Sequence, residues 1–199
     1  MGRWARILSI ALITAGAVIL LDVGLTLAYR EPISSIYSSI RQGQAADELA
    51  DLEARYPAPA DLRRVAEVPD RRKVRILARR FERRVENGEG IGRIKAPAMD
   101  GLDAVVVEGT DTGTLQKGPG HYPGTALPGE GRTVAIAGHR TTYLAPFRHI
   151  DSLERGDEIV LEMPYATLVY EVEQTTIVDP VQVGVVRDVG YERLVLSAC

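Results

Sequence analysis

Apolar positions divide the chain into three stretches with different periodicities. Residues 7–28 are almost uniformly apolar, and Asp22 is the one charged residue among them. Residues 31–85 are polar and charged, although apolar side chains recur at helical spacing over residues 71–85. From residue 86 onward, short apolar or alternating runs are separated by Gly, Pro and Asp, as is typical of β-strands. The pattern predicts a short N-terminal tail followed by an apolar helix (together residues 1–30), a charged, partly helical linker (31–85) and an all-β domain (86–199).

The first stretch has the length of a membrane span. Its 22 residues, Ile7 to Ala28, would form a helix of about 33 Å, enough to cross the hydrocarbon core of a bilayer. Arg3 and Arg6 precede it, which favours a cytoplasmic N-terminus. A cleaved signal peptide is the alternative, because Thr26 to Ala28 forms a small-x-small site, but the apolar run is longer than a usual signal-peptide core. We expect a single-pass protein of the cell membrane, with residues 31–199 extracellular.

The linker is strongly basic. Short helices are predicted at Ala45–Arg55 and Arg71–Val85, and the second carries seven arginines and a lysine beside an apolar stripe. One interpretation is contact with anionic lipid headgroups or wall polymers; the favoured one is a solvated spacer helix with a packing stripe. Residues 1–85 have 15 Lys/Arg against 10 Asp/Glu, and residues 86–199 have 9 against 17. Nucleic acid is not an expected partner, since no base-reading motif accompanies the basic residues.

The C-terminal domain is predicted to contain six or seven short strands, which point to an all-β barrel or sandwich. Periodicity alone does not distinguish these two architectures. A short helix is expected at Ala145–Leu153. The predicted strands are Ile91–Ala96, Ala104–Glu108, Thr133–Ala137, Glu158–Met163, Thr167–Val178 and Arg193–Ala198.

One cysteine and three histidines carry the nucleophilic and acid–base potential of the chain. A single thiol excludes an internal disulfide and multi-cysteine metal sites, and no metal or cofactor is predicted. Cys199 and His139 each follow an apolar strand, which is where a scaffold presents catalytic side chains. A thiolate beside an imidazole is a nucleophilic pair, in which the imidazole then protonates the leaving amine.

Other interpretations of these residues stay open. A buried terminal cysteine is more often structural than catalytic when it is considered alone. His149 is expected at the protein surface. His121 lies in a Gly/Pro loop, GPGHYPG, that is either a tight turn or a segment lining a ligand site.

Three motifs within residues 120–162 resemble the central part of the sortases, a family of cysteine transpeptidases. They are the GHYPGT-x-LPG loop, the AGHRTTY-x-APF segment and the D-x-L-x-x-GD-x-I run, and the closing VLSAC resembles the strand that ends in the family's catalytic cysteine. The resemblance covers residues 91–199. Together with the apolar N-terminal helix, these motifs most resemble class E, the housekeeping group of high-GC Gram-positive bacteria. Classes C and D are near competitors.

The resemblance implies a sortase-like β-barrel and transpeptidation at a C-terminal sorting signal. Cys199 would attack the Thr–Gly bond of an LPxTG-like or LAxTG-like signal on a secreted protein and form a thioacyl enzyme. An amine of a cell-wall precursor or a pilin lysine would then resolve that intermediate. By motif position, His139 would be the acid/base. The substrate-binding residues would be Tyr122, His121, Thr141 and Thr142.

One family feature has no counterpart in this sequence. Sortases place an arginine on the strand after the cysteine, where it holds substrate and stabilises the oxyanion, whereas this sequence ends at Cys199. Loss of an oxyanion donor costs about 10²–10³ in rate. We therefore expect a chain truncated after the cysteine, without the closing strand of the barrel and with little or no activity.

Two other functions are compatible with the sequence. An L,D-transpeptidase is also a thiol enzyme on a β fold, but it usually shows S-x-G-C, whereas Ala198 precedes the cysteine here. A catalytically inactive, membrane-tethered β-domain that binds a wall polymer or a peptide is the non-enzymatic alternative.

Overall fold

The computed structural model describes residues 2–29, 32–179 and 181–198, so Cys199 lies outside the described residues. Most helical residues precede a single β-sheet. The helices are α1 (Arg3–Tyr29), α2 (Pro32–Arg55), α3 (Pro59–Arg64), α4 (Asp70–Glu82) and the short α5 (Thr112–Leu115).

Helix α1 is the apolar helix predicted from the sequence. Over Arg3–Gly24 it is long and apolar enough to cross a membrane. This segment is not buried in the protein, in contrast to the core helix of a soluble domain. A signal sequence near the N-terminus has the same length and composition, so the helix alone does not distinguish an anchor from a signal.

Seven strands form one sheet in the order β6-β5-β1-β2-β3-β4-β7. Parallel pairing joins β2 to β3 and β4 to β7, and the other neighbours are antiparallel. The sheet is a half-barrel, which confirms the predicted all-β class. The strands are β1 (Gly90–Ala96), β2 (Leu102–Glu108), β3 (Gly120–His121), β4 (Thr133–Gly138), β5 (Glu158–Met163), β6 (Ala166–Glu171) and β7 (Arg193–Ala198).

Glu192 connects the start of β7 to the loop that leads into β4. Its carboxylate accepts hydrogen bonds from Gly129 N at 2.6 Å and from Gly131 N at 2.8 Å. The hydroxyl of Tyr170 donates to the same carboxylate at 2.8 Å. One side chain thus holds β6, β7 and the loop before β4 together, which helps to fix the register of the parallel pair.

Two predicted elements were wrong. The strand predicted at Thr167–Val178 ends at Glu171, which pairs with Glu158, the first residue of β5. Val172 then bonds to the turn at Gly156 and Asp157, where the partner strand turns away. The helix predicted at Ala145–Leu153 is only a 3₁₀ turn at Ile150–Ser152. The sequence does not predict β3, because two residues are too few to show an alternation of apolar and polar positions.

The predicted linker helices belong to the hydrophobic core. Helix α4 buries Leu77 and Phe81 among the strand residues. The Phe81 ring lies 5.1 Å from that of Tyr56 and 5.5 Å from that of Tyr165, measured between centroids. The Tyr56 hydroxyl donates to the carbonyl of Leu77 at 2.6 Å. The core therefore contains residues from both sides of the predicted boundary at residue 85, and the three-part division remains a prediction.

Gln42 fastens α2 to the sheet. Its Nε2 donates to the carbonyls of Val105 at 3.0 Å and Lys117 at 2.6 Å, and its Oε1 accepts from Val105 N at 2.9 Å. The side-chain amide therefore pairs with Val105 as a neighbouring strand would. A small apolar cluster beside this contact comprises Ala45, Leu49, Val105 and Val107.

We predict that Gln42→Ala lowers the free energy of unfolding by about 2–3 kcal/mol, because it leaves backbone groups of Val105 and Lys117 without partners. Urea unfolding of the full chain in neutral detergent measures the change. Gln44→Ala is the matched control, since Gln44 is exposed on the same helix and should change the value by less than about 0.5 kcal/mol. Equal losses in the two variants would contradict the role assigned to Gln42.

Candidate active site

The candidate site lies where β4 and β7 end. The two strands pair in parallel through six matched positions, the last of which joins Gly138 to Ala198. His139 follows Gly138 directly, and Cys199 follows Ala198 in the sequence. Cys199 lies outside the described residues. The two predicted catalytic residues are therefore related through the register of β4 and β7.

His139 has an available ring nitrogen. Its Nε2 is shielded from solvent and makes no hydrogen bond within the described part of the chain. Desolvation by burial lowers the pKa of His139 below its usual value of 6.5. The ring of Tyr143 lies 5.2 Å from the imidazole, between centroids. A neutral imidazole with an unpartnered nitrogen can accept a proton from a neighbouring acid.

The backbone after His139 is strained. Tyr143, Leu144 and Ala145 have φ values of 50°, 63° and 42°, a left-handed conformation that costs energy in residues with a Cβ. This run also explains why no helix begins at Ala145. Ala145 N donates to the carbonyl of Thr142 at 2.8 Å, which closes the turn.

Phe147 holds the end of β4 in place. It is fully buried, and its backbone N–H donates to the carbonyl of His139 at 3.0 Å. Its ring lies against Gly138, where an added Cβ would lie 2.6 Å from two ring carbons. Glycine at position 138 is therefore required by close packing, and this contact fixes the backbone from which His139 projects.

Tyr143 connects the histidine to α5. Its ring contacts His139, and its hydroxyl accepts a hydrogen bond from Gln116 Nε2 at 3.2 Å. Neither residue was assigned a role from the sequence. The one available indication was the position of Tyr143 in the AGHRTTY segment.

Tyr122 lies against β7. Its hydroxyl is hydrogen-bonded to Ser197 Oγ at 3.1 Å, and its backbone N–H donates to the carbonyl of Ala135 at 2.9 Å. The GHYPGT loop is thus attached to both strands of the parallel pair. The sequence does not single out Ser197, although it lies two residues before the cysteine.

His121 is buried rather than open to solvent. It is 3% exposed, and its Nδ1 lies 2.7 Å from Glu108 Oε2. Its Nε2 lies 3.0 Å from the carbonyl oxygen of Ala126 and 3.0 Å from Thr125 Oγ1. These contacts hold the GHYPGT loop against β2, and the substrate-binding role of His121 stays a prediction.

The remaining predicted residues lie on the segment after His139. Thr141 is exposed and Thr142 is half-buried, and their substrate-binding roles also stay predictions. His149 lies at the surface, as expected, with its side chain 47% exposed. Among the described residues, no group of three or more His, Cys, Asp or Glu side chains could hold a metal ion.

A histidine thus follows one strand of the half-barrel, and the parallel neighbouring strand leads into a cysteine. The family model "Sortase domain" matches residues 94–199. The chain belongs to the sortase family, which confirms the resemblance seen in its motifs.

Three relatives illustrate the similarity. Sortase D of Bacillus subtilis is 34% identical over 115 residues, which are 57% of this chain and 56% of that protein, so the chain spans about half the length of this relative. The structure of a Clostridium perfringens Sortase D5 transpeptidase covers 80% of this chain and 89% of its own, at 25% identity and a TM-score of 0.62. Sortase E from Streptomyces avermitilis covers 57% of this chain and 82% of its own, at 34% identity and a TM-score of 0.53.

We predict that Gly138→Ala destabilises the protein by about 1–3 kcal/mol, because the added methyl group overlaps the buried ring of Phe147. Gly184→Ala is the control, since no atom lies within 4 Å of a Cβ at that position. Urea unfolding compares the two variants. A loss of equal size at Gly184 would remove the packing explanation.

Burial of His139 predicts a pH dependence of stability. The unfolded chain takes up a proton near pH 6.5 that the folded protein resists, so stability should fall as the pH falls below that value. His139→Gln should flatten this part of the profile, whereas His149→Gln should leave it in place. Unfolding midpoints between about pH 5 and pH 8, with an NMR titration of the imidazoles, measure both effects. A His139 midpoint above 6.5 would contradict the prediction.

Proposed function

We propose that this protein is a membrane-anchored cysteine transpeptidase with Cys199 as nucleophile and His139 as general acid/base. The register of β4 and β7 carries the proposal, because Gly138 and Ala198 are paired neighbours. Paired Cα atoms of adjacent strands lie about 5 Å apart. Side chains one residue further along each strand would therefore start within reach of each other.

The lowered pKa of His139 suits the first chemical step. Its neutral imidazole takes the proton of the Cys199 thiol, and the thiolate attacks the carbonyl carbon of the scissile peptide bond. The tetrahedral adduct collapses when the imidazolium gives its proton to the leaving amine, and a thioester remains. An acceptor amine then attacks the thioester, His139 takes up its proton, and the thiol is regenerated as the new amide forms.

The substrate is proposed to be the C-terminal sorting signal of a secreted protein, of the LPxTG or LAxTG kind. The acceptor is the amine of a cell-wall precursor or of a pilin lysine. Tyr122 supports this assignment, since its loop reaches the Ser197 end of β7. His121, Thr141 and Thr142 complete the proposed groove. Class E is the proposed subgroup, on the AGHRTTY and GHYPGT motifs.

Helix α1 is proposed to be an uncleaved anchor, with the N-terminus cytoplasmic and the catalytic domain outside. Its exposed apolar side chains, and Arg3 and Arg6 in its first turn, support this topology. Helix α2 follows α1 and is attached to the sheet through Gln42. The anchor would then hold the domain close to the membrane surface.

Intact-mass spectrometry tests the proposal on protein extracted from membranes. We expect a mass that includes residues 1–28, and, after incubation with an LPxTG or LAxTG peptide, an added acyl group from which the residues after the threonine have been lost. The adduct should be released by hydroxylamine, as a thioester is. Scoring the adduct rather than turnover allows slow acylation to be detected.

Three variants make the test specific. Cys199→Ala and His139→Ala should form no adduct, whereas His149→Ala, which removes an exposed histidine, should behave like the parent. Unchanged peptide binding by Cys199→Ala without any adduct in the parent protein would support the non-enzymatic alternative. An adduct with peptidoglycan stem peptides but not with sorting-signal peptides would support the L,D-transpeptidase alternative.

A further inference from the structure

Five exposed arginines occupy one side of α4 and its C-cap. At 100° per residue, positions 71, 75 and 79 form one row along the helix, and positions 72, 79 and 83 form a second row beside it. The rows extend over about 18 Å. We call this surface the basic face, and it consists of Arg71, Arg72, Arg75, Arg79 and Arg83, all exposed.

The basic face is largely without counter-charges. Two other arginines of this region form ion pairs within the protein: Arg80 and Arg84 both pair with the buried Asp61. On the basic face only Arg79 approaches a carboxylate, that of Glu130 at 3.8 Å; its other four members make no ion pair among the described residues. Glu82 is the one acidic residue of the helix on the same side, so five arginines face two carboxylates, those of Glu82 and Glu130.

This arrangement has an energetic cost. Like charges four residues apart destabilise a helix, and two successive pairs of this kind lie between Arg71 and Arg79. A bound polyanion would remove the repulsion. The guanidinium group also matches phosphate oxygens in a bidentate geometry, which favours a ligand with phosphate groups over one with isolated carboxylates.

The packing of α4 argues against insertion of this helix into a lipid surface. A helix that lies in a membrane interface needs a free apolar face to insert. The apolar stripe of α4 is used elsewhere, since Leu77 and Phe81 are buried in the core. The helix is also joined to the end of α2 that is remote from α1, through the bond from Tyr56 to Leu77. Helix α2 has 24 residues, so this end lies about 36 Å along the helix from the end that follows α1.

The aromatic residues near α4 argue against nucleic acid. Proteins that bind single strands stack bases on exposed aromatic rings. The rings nearest to the helix, Tyr56 and Phe81, are 2% and 0% exposed. The basic face therefore offers charge without stacking platforms.

We propose that the basic face binds an extended phosphodiester polymer with a non-aromatic polyol backbone. The charges of the polymer neutralise Arg71, Arg72, Arg75, Arg79 and Arg83 along the helix. The surface is separate from the residues assigned to catalysis, so this interaction can exist whether or not the proposed transpeptidase activity does.

Binding of fluorescent poly(glycerol phosphate) to the full chain in neutral detergent tests the proposal. Fluorescence anisotropy between about 50 and 200 mM NaCl should show binding that weakens steeply with salt. Arg71→Gln combined with Arg75→Gln should weaken binding about tenfold at low salt and lower the salt slope by about 1–2. The polymer should also raise the thermal unfolding midpoint of the parent more than that of this variant.

The control is Arg155→Gln combined with Arg187→Gln, which removes the same charge from exposed positions outside α4 and should bind like the parent. Equal weakening in both double variants would overturn the proposal, because it would reduce binding to net charge. Tighter arginine-dependent binding to phosphatidylglycerol vesicles or to single-stranded DNA would also overturn it. Both double variants should unfold at or above the midpoint of the parent, which shows that a loss of binding is not a loss of fold.

Discussion

The parallel pairing of β4 with β7 is the interaction on which the candidate site depends. Sixty residues of chain separate paired positions such as Thr133 and Arg193, so the pairing comes from the closure of the sheet and not from a local turn. Glu192 supports the register by accepting hydrogen bonds from the loop before β4. A shift of one residue would turn every side chain of β7 to the opposite face. The relation between the His139 and Cys199 positions would then be lost.

Side-chain packing next to His139 holds the backbone of the candidate site in place. The left-handed run from Tyr143 to Ala145 costs energy, and the buried ring of Phe147 against Gly138 compensates by fixing both ends of the turn. His139 itself is partly buried, and the resulting desolvation lowers its pKa.

Helix α4 combines two separate roles on opposite sides. Its apolar stripe completes the core through Leu77 and Phe81, and its basic face remains exposed. The spacer interpretation of this segment accounted for a packing stripe but not for the extent of burial. With α2 attached through Gln42, the predicted linker is part of the support of the sheet.

The sequence by itself determined the apolar N-terminal helix, the all-β class, most strand positions and the sortase family, because these follow from local periodicity and from short motifs. It also singled out His139, whose position after an apolar strand is a local feature. The tertiary structure alone decided that His121 is buried against Glu108, that Tyr122 meets Ser197, and that Phe147 requires Gly138. Each of these contacts joins residues brought together by strand pairing or by a turn, and side-chain packing leaves no periodic trace in a single sequence. The length of β6 was misjudged for the same reason, since a β-prone run ends as a strand where its partner ends.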